Sequence, residues 1–198
     1  ENIMPLGANK AAIMGVAGVS TGDVVLLSSQ TASNSASIAF TSGITSTYGE
    51  YIFAFYNINP ATDGQHFSFQ GSIDSGSNYN VAITSSGFSA VNEEGDSGSM
   101  AYVTSLDLAQ GTGYQRITEN TGSAADESCV GILHLFNPSS TTYVKHWMSD
   151  FSVYNTSPAA AHQQCAGYFN STSAIDAMSF KFESGNINAG TIKMWGVK

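Results

Sequence analysis

Short runs of alternating apolar and polar residues follow one another from residue 23 to the end of the chain. The last two are the cleanest. In SAIDAMSFKFE, Met178, Phe180 and Phe182 fall on one side and Ser179, Lys181 and Glu183 on the other, the two-residue period of a half-buried strand. After SGNINAG, whose Gly185, Asn186, Asn188 and Gly190 suit positive-φ turn positions, Ile192 and Met194 alternate with Thr191, Lys193 and Trp195. The pattern predicts a C-terminal β-hairpin over residues 173–198. Its apolar side chains should anchor the core, which leaves recognition to loops and to the N-terminal region.

Upstream, VVLLSSQ, ASIAFTSG, EYIFAFYNI, HFSFQGSI, YNVAIT and MAYVTSL read as further strands. EYIFAFYNI has apolar residues on both faces and should be covered on both sides. NPATDG is a turn, because Pro60 fixes its own φ and Asp63-Gly64 suits a tight reversal. CVGILHLF and TYVKHWMSDF flank the turn NPSST, and SGFSAVNEEGDSGS, with Glu93, Glu94 and Asp96, and the polar stretch over 109–126 should be long surface loops. YNTSPAAAHQQCAG is open between a short helical turn and a loop. Roughly ten strand-like runs with no amphipathic helix predict an all-β fold, an antiparallel two-sheet jelly-roll-like β-sandwich over residues 23–198. Residues 1–22 carry no clear period. They read as an extended arm whose Ile3, Met4, Leu6, Ile13, Met14 and Val16 should dock on another surface, or else as a disordered leader.

Composition narrows the function. Only 11% of residues are charged, with a formal net charge of −9, and the cations Lys10, Arg116, Lys145, Lys181, Lys193 and Lys198 are scattered. A nucleic-acid footprint needs clustered Lys and Arg, so no nucleic-acid partner is expected. No apolar run reaches bilayer length and the start lacks signal-peptide organisation, so the expectation is a soluble chain without membrane insertion. Cys129 and Cys165 could pair across neighbouring strands, although buried thiols are the more ordinary reading.

Catalytic motifs are missing. There is no G-x-S-x-G elbow and no H-E-x-x-H or C-x-x-C spacing, and His66, His134, His146 and His162 stand apart in strands or loops. No enzyme activity, cofactor or metal is expected, and the acidic residues near Asp96 read as a solvated loop before they read as a calcium site. Asn155 and Asn170 match the glycosylation pattern by coincidence in a Ser/Thr-rich chain. Glycan contacts are a further expectation, since aromatic rings stack on sugar faces while amides bind hydroxyls. The candidates are Asn78, Tyr114, Trp147 and Tyr154.

The segments LLSSQTASNSASIAFTSGITSTYGEYIFAFYNINPATD, FNPSSTTYVKHW and SGNINAGTIKMWG carry a resemblance. From about Val24 to Val197 the chain resembles a β-rich domain of virion proteins of tailed bacteriophages, often marine ones, with Met194-Trp195 where similar domains tend to have Leu-Tyr. The resemblance implies a virion structural protein on the exposed surface of the phage particle, either a capsid-decoration or head-associated subunit or a small tail component. It would contact other virion proteins and form a homo-oligomer, with a trimer favoured. The alternative is a tail-fibre-type adhesin domain that binds host-surface glycans.

Overall fold

In the computed structural model, which describes residues 23–198, the alternating runs become thirteen strands. They are β1 (Val24–Thr31), β2 (Ile38–Phe40), β3 (Glu50–Pro60), β4 (Phe67–Ser72), β5 (Ile83–Glu93), β6 (Gly98–Tyr102), β7 (Ala109–Gly111), β8 (Gln115–Arg116), β9 (Cys129–Phe136), β10 (Lys145–Asn155), β11 (Ala159–Phe169), β12 (Ala177–Phe182) and β13 (Ile187–Val197). One turn of 3-10 helix, Thr104–Leu106, lies between β6 and β7. The expected arm residues Ile3, Met4, Leu6, Ile13, Met14 and Val16 lie outside the described residues.

The strands form two antiparallel sheets. The larger runs β1-β13-β3-β9-β10-β11-β5-β6, with β7 also on β5, and the smaller runs β2-β12-β4-β8. Without β5–β7, β10 and β11, the orders are β1-β13-β3-β9 and β2-β12-β4-β8, with first strand beside last in each sheet. That nested order is the jelly roll, so the expected sandwich is present, with five strands added to one sheet.

The two C-terminal runs are strands but do not pair with each other, which corrects the expected hairpin. β12 lies between β2 and β4, whereas β13 lies between β1 and β3 in the other sheet. Much of the supposed turn is strand: Ile187 pairs with Pro60 and Ala189 with Asn59, so the chain crosses between the sheets within residues 183–186. Gly185 has φ +74, and a Cβ there would lie 2.4 Å from Thr62 Oγ1, so the crossing requires glycine. Alternation fixes which side of a strand is apolar, but it does not name the neighbouring strand.

Phe180 of β12 occupies the centre of the core. Its ring centroid lies 5.1 Å from Phe53 and 5.1 Å from Phe55 of the large sheet, and 6.1, 6.3 and 6.4 Å from Phe40, Phe67 and Phe69 of the small one. Gly131 makes room for this cluster. Its cross-strand neighbours are Phe55 and Phe151, whose rings meet at 5.1 Å, and a Cβ at 131 would sit 2.5 Å from Asp150 O and 2.6 Å from the Phe151 ring.

The small sheet is too narrow to cover the added strands. Residues 103–121, whose 109–121 part was expected to be surface loop, complete that cover: Leu106, Gln115, Ile117, Thr118 and Thr121 are buried. Gln115 donates to Leu106 O (2.8 Å) and accepts from Ser85 Oγ (2.6 Å), while Glu119 N donates to Gln163 Oε1 (2.7 Å). Gln70 is likewise buried and donates to Val81 O, Thr112 O and Gly113 O, so all of β4 is covered. These buried amides are tolerated because their hydrogen bonds are satisfied.

Other expectations change in the same region. AAAHQQ is neither helix nor loop. It opens β11, which pairs with β10 along its whole length and buries Ala159, Ala161, Gln163 and Cys165 on its inner side. SGFSAVNE, expected as loop, is strand, the second part of β5 paired with β11 and β6. The acidic residues cap a tight β5–β6 turn, where Asp96 N donates to Glu93 O (2.9 Å). Cys129 and Cys165 are both free and buried, on strands separated by β10, and burial pushes each thiol up to about 12. Lys145 is fully buried without an ion-pair partner among the described residues, and donates to Tyr143 O and Ser171 O at 3.0 Å each. Burial lowers its pKa below the usual lysine value, and its two bonds tie the FNPSSTTYVKHW turn to the segment before β12.

Candidate functional site on the outer face of the large sheet

β3 buries Tyr51, Phe53 and Phe55, while Ile52 and Ala54 are half-buried and Tyr56 is exposed. The expected second cover is missing within the described chain. The same holds across the sheet. Because strand register is continuous, residues of one parity line up in rows on the outer face. One row runs Leu26, Trp195, Ile52, His134, Met148, Ala166, Ser86. The next runs Lys193, Ala54, Ile132, Asp150, Gln164, Phe88, Tyr102. A third runs Val130, Ser152, His162, Ala90, Met100.

Eleven large hydrophobic side chains are exposed among the described residues, and nine of them belong to this face: Val24, Leu26, Tyr56, Phe88, Met100, Tyr102, Val130, Ile132 and Met148. The other two, Ile73 and Tyr143, lie in loops. Isolated exposed apolar residues are ordinary, but a contiguous patch marks an interaction surface. Met148, on the central strand β10, is 51% exposed, and Val130 and Ile132 on the neighbouring β9 are each 40% exposed, so the patch is not confined to the sheet's edges.

The charged groups in these rows are mostly satisfied on the face itself. Asp150 is held by His162 Nε2 at 2.8 Å and accepts from Gln164 Nε2 at 2.8 Å. His134 Nδ1 meets Glu50 Oε1 at 2.5 Å, and the Lys193 ammonium sits 5.1 Å from the Tyr56 ring centre. A shallow depression of about 350 Å³ opens between Phe88, Ile132, Met148 and Ala166, with Asp150, Gln164 and His134 on its rim. The acidic β5–β6 turn lies at the end of the face, where Tyr154 Oη approaches Glu94 at 3.5 Å and that carboxylate raises the tyrosine pKa.

The four expected glycan contacts do not form one site. Trp147 is fully buried, edge-on to Phe69 at 4.9 Å, because odd-numbered residues of β10 point inward. Tyr154, an even-numbered residue, lies on the opposite side of that strand at the acidic rim. Tyr114 is half-buried over the small sheet, where its hydroxyl donates to Ser179 Oγ (3.1 Å) and Lys181 stacks 4.5 Å from its ring centre. Asn78 is exposed but its amide donates to Asp74 Oδ2 (2.7 Å), within a turn whose hydrogen bonds hold the Asp74 carboxyl below its usual range. No group of three or more His, Cys, Asp or Glu side chains among the described residues could hold a metal ion.

The outer face was missed as a site, although a signal was present. In CVGILHLF both parities are apolar, Val130, Ile132 and Phe136 on one side and Leu133 and Leu135 on the other. Such a strand calls for cover on both faces, and the sandwich supplies cover on one. Comparison with protein-family models, curated proteins and solved structures finds no match.

Proposed function

We propose that this chain is a structural subunit of a tailed-bacteriophage particle, a head-decoration or small tail component on the exposed surface. The observation that carries the reading is the outer face of the large sheet, where nine of the eleven exposed large hydrophobics gather. A face of that kind serves assembly better than solubility. The sequence resemblance points the same way, and its most specific phrases are accounted for by the fold. FNPSSTTYVKHW forms the β9–β10 turn pinned by Lys145, and SGNINAGTIKMWG forms the crossing between sheets and the strand seated between β1 and β3. In this reading residues 1–22 form the docking arm to other virion proteins.

The test is incorporation. Full chain supplied with an epitope tag during infection should sediment with purified particles, and deletion of residues 1–22 should reduce that incorporation. Full chain remaining at the top of the gradient contradicts the reading. A glycan-binding adhesin is the second reading, favoured by the depression where Asp150, Gln164 and His134 flank Phe88 and Met148. A glycan array with the full chain tests it directly, and binding abolished by Asp150→Ala would support it.

A further inference from the structure

We infer that the outer face of the large sheet is covered by the same face of a second copy of this chain. The inference rests on the assembly reading and names the partner. Two observations identify it. The nine exposed side chains offer on the order of 700 Å² of largely apolar surface, taking about 150 Å² as the full extent of each, close to the roughly 800 Å² each partner contributes to a standard stable interface.

The second observation is charge. The chain carries a formal net charge of −9, yet the rows across this face present only Asp150 and Lys193, with Glu50 beside them held by His134, and the carboxylates Glu93, Glu94 and Asp126 are confined to the rim by Tyr154. Two copies of so acidic a chain repel one another through most surfaces and approach most easily through a nearly neutral one. A strongly basic partner would instead need unpaired carboxylates among these rows, where Asp150 and the neighbouring Glu50 each already hold a histidine and the remaining carboxylates lie at the rim.

The geometry follows from using one face. A self-complementary patch closes at two copies about a two-fold axis, whereas the trimer suggested by the resemblance would need two different complementary patches. Sheets packed face to face keep their strands about 30° apart and interdigitate side chains across roughly 10 Å. Ile132 and Met148, near the middle of the eight-strand path, would then be the most deeply buried contacts.

Sedimentation velocity on the full chain at micromolar concentration tests this. The wild type should sediment at twice the 20.7 kDa chain mass. Ile132→Lys and Met148→Glu should each sediment at the single-chain mass with unchanged circular dichroism, while Tyr143→Lys, a charge in an exposed loop, should remain paired. Hydroxyl-radical footprinting adds a second readout: Met148 oxidation should slow severalfold as wild-type concentration rises through the association range. A single-chain mass for the wild type overturns the inference, and a protected Met148 in that single chain would assign the face to residues 1–22. Pairing unaffected by both face substitutions also overturns it. Pairing without incorporation into particles would leave the inference standing and remove the virion reading, so the two can fail separately.

Discussion

Replacing Phe180 by alanine should cost this protein more than any other single truncation on β12. The ring is fully buried and has five phenylalanine neighbours, two in the large sheet and three in the small. Phe→Ala in a core costs about 3–5 kcal/mol, and the size depends on how far the surroundings can collapse into the void. Here collapse is resisted from both sides, because the neighbours are fixed on strands of two hydrogen-bonded sheets. The loss should therefore fall near the top of that range, about 4–5 kcal/mol, with lost edge-on ring contacts of about 0.5–1.5 kcal/mol each included in it. For a chain of this length the melting temperature should drop by about 10–15 °C. Urea unfolding followed by tryptophan fluorescence checks it. The midpoint should fall with an unchanged slope, whereas Phe88→Ala on the outer face should shift stability by less than about 1 kcal/mol in the single chain. A Phe180→Ala loss below about 2 kcal/mol would refute the placement of this ring between the sheets.

Three other outcomes are expected. Gly131→Ala should destabilise by about 1–3 kcal/mol in the same assay, because the added methyl meets the Asp150 carbonyl and the Phe151 ring and backbone cannot yield. His66 is held below its ordinary 6.5 by burial, with Arg116 adding to the effect, and its Nδ1 accepts from Asn120 N. The unfolded chain therefore binds the proton more readily, so stability should fall as pH drops from 6.5 toward the lowered folded value, and His66→Gln should flatten that part of a urea-midpoint profile relative to wild type. Cys129 and Cys165 should stay inert to a thiol reagent in the native state and react together on unfolding, since both are buried with pKa values near 12.

Local pattern carried much of this fold. Two-residue periods located most of the longer strands, including β12 and β13, and unequal loop lengths pointed to two sheets. Most of β5, all of β7 and β8 and the start of β11 fall where loops were expected, and residues 79–82 of YNVAIT are not strand. Partner choice was not legible, because Phe180 and Ile192 would be inward-facing in a hairpin and in a crossing between sheets alike. Burial of polar residues was also hidden: Gln70, Gln115 and Lys145 look like surface residues until their carbonyl partners, distant in sequence, are known. Trp147 was misplaced for a related reason, since its inward direction follows from the register of β10, which the sequence HWMSDF leaves ambiguous. The outer face could have been found by asking what covers the second apolar side of β9.

The most direct test of the account is a cryo-EM reconstruction of tailed particles purified from a culture that produces this chain. The sandwich should repeat at symmetry-related positions on the particle surface, with Ile132 and Met148 turned against another subunit and not toward solvent. A map without the sandwich, or one in which that sheet face is bare, would contradict the account.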